Sequence, residues 1–390
     1  MYDWIIVGGG MQGITLATFL IKEKKTTMDR LAIVDPHDEP LANWKHCTGM
    51  ISMPFLRSPS VHHIDVAPFS LQAFANKEKQ TFHTDRFYGQ YKRPSLPLFN
   101  DHCDHIIEDI GLKESWHQGK VIHVNKQHGV WTVMTNQGEE LVGRNLVLSI
   151  GIGEQRHWPE WAIQLKEENQ NSVHHIFDSS CPSIPTLEGS ITIIGGGITA
   201  VHTAIKAASL HPGMVTMIKR HPFRVHDFDS NPAWLGPKNQ VSFRLLDDYR
   251  QRREAIKKAR NKGSIPRELS IKMKHLERKK HLTIIDDTVV DYKLDNQINL
   301  LLKKHPSHQT ANILLATGFE GTLPGKEWIE PLIHDQNLKC ASCGYPIVSH
   351  SLQWGPNLYV TGALAELQVG PIARNISGAR QAAQLIVNSL

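Results

Sequence analysis

Cysteine is scarce, with five in 390 residues, and that excludes a small secreted scaffold stapled by disulfides. No run approaches the ~18 uninterrupted apolar residues of a membrane-spanning helix. Metal-ligand spacing is missing as well. The 23 histidines are scattered, and the pairs His62-His63 and His174-His175 lack an HExxH-like spacing, so no metal site is expected. Nor is there a basic leader: Met1-Tyr2-Asp3 passes directly into Trp4-Ile5-Ile6-Val7, and no cleaved signal peptide is expected. Charge of one sign does not dominate either. A net +5 on a chain that is 40% hydrophobic and 21% charged excludes a disordered polymer. At roughly 100–200 residues per domain the length suits two or three domains. These absences together point to a protein of the reducing cytoplasm that binds no membrane, and they leave a homo-oligomer open.

One charged stretch stands out. Residues 250–280 hold thirteen Lys/Arg against Glu254, Glu268 and Glu277. The run has no interleaved aromatics and no nucleic-acid motif, so nucleic acid is not an expected partner. It reads as a solvated helical face, with steering of anionic ligands as the second reading.

What is present is an internal repeat. Asp3–Val7 is a short apolar strand that leads into Gly8-Gly9-Gly10-Met11-Gln12-Gly13, then an apolar helix, then a strand Leu31–Val34 ending at Asp35. Ser190–Ile194 leads in the same way into Gly195-Gly196-Gly197-Ile198-Thr199-Ala200, a helix, and a strand Met214–Ile218 ending at Lys219-Arg220. Both are βαβ starts. Each is followed by what reads as a three-stranded meander. The first comprises Lys120–Asn125, Val130–Thr135 and Glu139–Leu148 and closes on Gly151. The second comprises Leu282–Tyr292, Ile298–Lys303 and Ala311–Leu315 and closes on Thr317-Gly318. The expected class is α/β: two Rossmann-like dinucleotide-binding domains, the second inserted in the first. Residues 1–155 plus 311–390 would form the outer domain and 188–310 the inserted one, with 156–187 as a linker.

The first turn is a GxGxxG fingerprint in its required context. Gly8 permits the tight turn, Gly10 lets a pyrophosphate approach the backbone, Gly13 allows helix and strand to pack closely, and Asp35 is placed to bind a ribose hydroxyl. In the second copy Ala200 replaces the third glycine after Gly195 and Gly197. Lys219-Arg220 stands where the first copy has its acid. A carboxylate there would repel a 2′-phosphate and a cationic pair would bind it, so the second site is expected to prefer NADP(H).

Two such sites in one chain imply electron transfer between two cofactors. The arrangement resembles the two-dinucleotide-binding-domain flavoproteins of glutathione-reductase-like fold, which implies FAD on the outer domain and NADPH on the inserted one. Asn357–Gly362 is similar to the strand and turn that reach the flavin's ribityl phosphate in that family, with Gly362-Ala363 where the family usually has Gly-Asp. Gly370-Pro371-Ile372-Ala373-Arg374-Asn375 looks like a helix start facing the isoalloxazine ring. Within the superfamily, Trp44-Lys45-His46-Cys47-Thr48-Gly49-Met50 and Asp227-Phe228-Asp229-Ser230-Asn231-Pro232 resemble segments of the N-hydroxylating flavin monooxygenases that act on ornithine or lysine side-chain amines. The first segment carries one inserted residue relative to that family, and the chain is shorter than is usual there. The resemblance implies that NADPH reduces FAD and that O₂ is then activated towards a small amine-type nucleophile, with Trp44, Met50 and the Gln368–Pro371 turn packing round the flavin.

Two other readings stay open. Cys47 lies about where flavin thiol–disulfide reductases of this superfamily carry a redox cysteine, and it is the one catalytic candidate that reading names. A protein that binds NADPH and FAD to regulate rather than to turn over would show the same fingerprints. Cys340-Ala341-Ser342-Cys343 is a CxxC with no further ligands at zinc spacing, and is expected to be two surface thiols.

Overall fold

Ile5 and Ile6 have no solvent exposure and sit in the middle of the first sheet, because the strand Tyr2–Val7 is flanked on both sides by parallel partners. The computed structural model describes residues 1–77 and 85–390. The first sheet runs in the order Gln353–Gly355, Leu358–Val360, Glu140–Leu148, Tyr2–Val7, Leu31–Asp35, Trp116–Gln118. Strands buried on both faces carry near-continuous apolar runs, which is why Trp4–Val7 and Leu31–Val34 are legible as strands. The helix Met11–Lys22 buries Ile14, Leu16, Phe19 and Leu20 on this sheet and packs along the C-terminal helix Ile376–Val387. The antiparallel meander Val121–Gln127, Val130–Thr135, Glu140–Leu148 lies within about two residues of its expected limits.

A second, five-stranded parallel sheet runs Leu282–Asp286, Val215–Lys219, Ile191–Ile194, Asn312–Leu315, Val173–His175. The fold class expected from the repeat is the observed one. Three details differ from the sequence reading. Leu282–Tyr292 is not one strand. It breaks at Asp287, whose buried carboxylate accepts the backbone N–H groups of Thr288 (2.7 Å), Lys304 (2.9 Å) and His305 (2.9 Å) and so turns the chain out of the sheet. Val289–Leu294 therefore joins Ile298–Leu302 and His308–Thr310 in a separate antiparallel sheet.

Ala311–Leu315 is met to within one residue by Asn312–Leu315, while the third place in the antiparallel sheet is taken by His308–Thr310 just before it. Ala311 donates to Ser190 Oγ at 3.0 Å, and Asn312–Leu315 enters the second parallel sheet rather than the outer lobe. The stretch 156–187, expected as a linker, holds the helix Glu160–Glu168 and the edge strand Val173–His175. Two consecutive histidines hid that strand. His174 Nε2 bonds Asn171 O nearby (3.0 Å), while His175 Nε2 reaches Gly318 O far along the chain (3.2 Å).

The basic run forms the helices Tyr249–Ala259 and Arg267–Arg278. Its lysines are exposed, but Arg252 is buried and folds inward. A small core of Phe243, Ile256, Ala341, Tyr345 and Leu367 ties this region to the C-terminal third. The Cys340–Cys343 segment is a hairpin tip beside it, with Cys343 exposed, Cys340 half-buried and both thiols free. Among the described residues, no helix is long and apolar enough to cross a membrane.

Burial also sets a pH limit. Desolvation pushes the imidazoles of His63 and His175 down to about 4 and that of His102 down to about 3, against an unfolded value near 6.5. They are neutral in the fold, so the unfolded chain takes up the extra protons as pH falls. Their contribution is complete above about pH 6.5 and is lost between there and about pH 4. The urea midpoint should therefore fall progressively from pH 7 to pH 5, as the unfolding free energy drops by up to about 1.4 kcal/mol per pH unit for each such histidine. A midpoint that stays level over that range would show that these rings are not held neutral.

Candidate functional site

Each nucleotide turn is shaped by what a side chain would strike. Gly8 has a φ of +106°, and a Cβ there would lie 2.8 Å from Ser149 O, while a Cβ on Gly13 would collide with Gly8 O. Gly10 faces open space. It caps the helix Met11–Lys22 with extended backbone and no side-chain hydrogen bond, so the first N–H groups of that helix point out over the turn without a protein partner. Beside it, Gln12 donates to Ala373 O (3.0 Å) while its Oε1 is buried and unpartnered. Gly362, with a φ of +60°, packs against the same side chain.

Asp35 ends the adjacent strand. Its Oδ2 accepts Gly9 N–H at 2.7 Å, and its Oδ1 accepts the His37 backbone N–H at 3.0 Å and ring N–H at 2.7 Å. A carboxylate has about four acceptor positions, so capacity for a ribose hydroxyl remains. Bare helix N–H groups, an open glycine and a ribose-reading acid fit a dinucleotide such as FAD.

The second turn repeats the design. Gly195 has a φ of +144° and runs against Ala316 O, Ala200 is fully buried, and Gly197 caps the helix Ile198–Leu210 with no side-chain bond. Thr317 Oγ1 donates to His157 O, and Gly318 O accepts His157 N–H at 2.9 Å. These bonds lace together the two crossings between the lobes.

The cationic pair divides. Lys219 is only 4% exposed. Its ammonium is taken by Asp286 at the end of the next strand and lies 4.5 Å from the Phe223 ring. It is therefore turned away from any phosphate, contrary to its expected role. Arg220, by contrast, is exposed.

The helix Ala42–Met50 runs between the first turn and the helix Ile198–Leu210 that follows the second. Leu41 N–H donates to Gly9 O (3.0 Å), and at the other end Lys206, on the second nucleotide helix, donates to Met50 O (2.9 Å). A cation on the last carbonyls of a helix is the favourable arrangement. Trp44 does not face this cleft freely. Its Nε1 donates to Asn100 Oδ1 (3.0 Å) and its ring packs on Phe99. Met50 packs against the second core. Cys47 donates to Asn43 Oδ1 at 3.5 Å, and burial pushes its thiol up to about 11. A thiol kept protonated is a poor redox nucleophile. Gly151 lies exposed at the end of the first meander.

The arginines were the residues missed from sequence. Arg57 donates to His226 O (2.7 Å), Asp227 O (2.8 Å) and Ser264 Oγ (2.9 Å), and Arg93 pairs with Glu268. Arg252 donates to Leu367 O (3.0 Å) and Gln368 Oε1 (2.9 Å), and Arg260 to Pro371 O (3.1 Å). Buried Glu366 is held by Arg253 and by Arg374 (2.8 Å). The turn Gln368–Pro371, with Gly370 at φ +86° beside Phe243, is thus carried by the basic run. The clustering of arginine rather than lysine at 250, 252, 253 and 260 was the available signal.

The fold, with its paired glycine turns, matches that of two-domain FAD/NAD(P)-binding flavoprotein structures. Residues 5–153 match the family described as FAD-NAD(P)-binding. An uncharacterized oxidoreductase, CzcO of Bacillus velezensis, is 22% identical over 326 residues, which is 83% of each chain. Ornithine hydroxylase of Pseudomonas aeruginosa superposes with a TM-score of 0.77 at 18% identity, over 100% of this chain and 98% of that one. The desferrioxamine-pathway cadaverine monooxygenase of Erwinia amylovora, solved with FAD, gives 0.75 at 16% identity, over 100% and 94%.

The division of the cationic pair has a measurable consequence. Arg220→Ala should weaken NADPH binding about tenfold to a hundredfold, the value of a charge-assisted bond, and leave NADH unchanged. Lys219→Met should lower thermal stability and leave the NADPH/NADH ratio near wild type. Equal loss of both coenzymes in Arg220→Ala, measured by equilibrium titration, would show that Arg220 does not read the 2′-phosphate.

Proposed function

We propose that the chain is an FAD-containing, NADPH-dependent monooxygenase that acts on a small amine-type nucleophile. The observation that carries this is the pair of glycine turns that each lead from a parallel strand into an uncapped helix, one followed by Asp35 and one by exposed Arg220, and both tied to the helix Ala42–Met50. When bound, FAD and NADPH supply the redox chemistry, with electrons passing from nicotinamide through flavin to O₂.

The chain's own part is binding, orientation and exclusion of water. N–H groups of Met11, Gln12 and Gly13 hold one pyrophosphate and those of Ile198, Thr199 and Ala200 the other. Asp35 reads a free ribose and Arg220 a 2′-phosphate. Leu367 and Val369 are fully buried in the C-terminal turn, which Gln240, Arg252 and Arg260 clamp by its carbonyls. A wall closed in this way keeps water from the reacting centre. The lobes meet at the crossings near 155–157 and 317–320, which we take as the domain limits. Dependence on NADPH and the five free thiols support a setting in the reducing cytoplasm.

The burial of Cys47, which opposes the thiolate, supports the monooxygenase reading over the thiol–disulfide alternative. The relatives whose titles specify ornithine and cadaverine supply the substrates to try first. NADPH-dependent O₂ uptake should rise on addition of one member of a panel of diamines and basic amino acids, with hydroxylated amine recovered as product. Cys47→Ser should retain at least half the wild-type rate. Uptake indifferent to every amine, with disulfide reduction that fails in Cys47→Ser, would overturn the proposal.

A further inference from the structure

The strands Leu31–Asp35 and Trp116–Gln118 end side by side, with Asp35 in register with Gln118. At that end the half-buried indole of Trp116 lies directly on Gly9, so that any Cβ on Gly9 would run into the ring. Its Nε1 donates to His37 O at 3.2 Å, and the imidazole of His37, 43% exposed, is held on Asp35. A core tryptophan packs among apolar side chains. Trp116 packs against the edge of the first core, but its ring also rests on the backbone of the first glycine turn, is hydrogen-bonded to the segment after Asp35, and stays partly open. Gln118, exposed beside it, presents amide and backbone polar groups. An apolar ring face next to polar edges is the chemistry that suits a purine.

We propose that Trp116 is the aromatic platform for the adenosine half of the nucleotide bound at the first turn, with His37 at its edge. The assignment rests on the FAD reading of that turn and adds the residue that recognises adenine. It also accounts for glycine at position 9, which neither a tight turn nor a phosphate would require: the indole leaves no room for a side chain.

The test uses flavin-free protein with the second turn saturated by NADP⁺, titrated with ADP, FAD and riboflavin 5′-phosphate while tryptophan fluorescence and bound ligand are followed. In wild type, ADP and FAD should bind and quench. Trp116→Ala should bind both about tenfold more weakly, with riboflavin 5′-phosphate unaffected. Trp116→Phe should keep most of the affinity and lose the ADP-induced quench, which gives a readout even if the alanine variant folds poorly. Wild-type ADP affinity in Trp116→Ala, or a full quench in Trp116→Phe, would overturn the platform while leaving the FAD reading intact. Wild-type protein that binds neither FAD nor ADP would overturn both.

Discussion

Two helices in this chain begin at a glycine turn that closes a parallel strand, and neither has a side-chain cap. Gly10 and Gly197 each enter a helix in extended conformation, and no side chain accepts a bond from the exposed N–H groups. A helix start left bare over an open glycine turn is a standing demand for an anion. The surrounding sheet satisfies the rest of a nucleotide's needs by placing the next strand's terminal residue beside the turn. The sign of that residue separates the two sites. In one, Asp35 is already oriented by Gly9 and His37. In the other, Arg220 is exposed while Lys219 is consumed by Asp286.

The two sites are useful only if they are held to one another. Three kinds of contact do this. The helix Ala42–Met50 is tied at its start to Gly9 and at its end to Lys206. Arg57 and Arg93 reach from the outer lobe to the segment 226–268. Arg252, Arg253 and Arg260 reach back to Glu366–Pro371. Most of these donors meet backbone carbonyls or a buried carboxylate, where the hydrogen bond is worth more than a surface ion pair. A lobe tied in so many places is suited to bringing two cofactors together and keeping them there. It is less suited to a cycle in which a reactive cysteine must be uncovered, and Cys47 is in any case held protonated.

Much of this was legible from residue order. The runs Trp4–Val7 and Ile191–Ile194, each punctuated by glycines and followed by an apolar helix, announce βαβ starts, and their repetition announces the architecture. The meander Val121–Leu148 was equally plain from its alternation and turns. What escaped had no local signature. Val173–His175 is a strand of three residues, two of them histidines, and the ring partner of His175 is Gly318, far along the chain. The break at Asp287 depends on N–H groups from Lys304 and His305. Lys219 looks like a phosphate ligand until its partner Asp286, on a neighbouring strand, is in view. The basic run reads as a solvated face because the acceptors that bury its arginines, Leu367 O, Glu366 and Pro371 O, come more than a hundred residues later. Trp44 likewise belongs to Asn100 and Phe99 rather than to an open cleft.

The central claim is that one chain holds two different nucleotides in electronic contact. Anaerobic mixing of the purified protein, its bound cofactor identified by mass after denaturation, tests this directly. The account predicts released FAD and a flavin absorption band that bleaches on addition of one equivalent of NADPH, faster than with NADH. A colourless protein that releases no flavin, or a bound flavin that NADPH leaves oxidised, would contradict it.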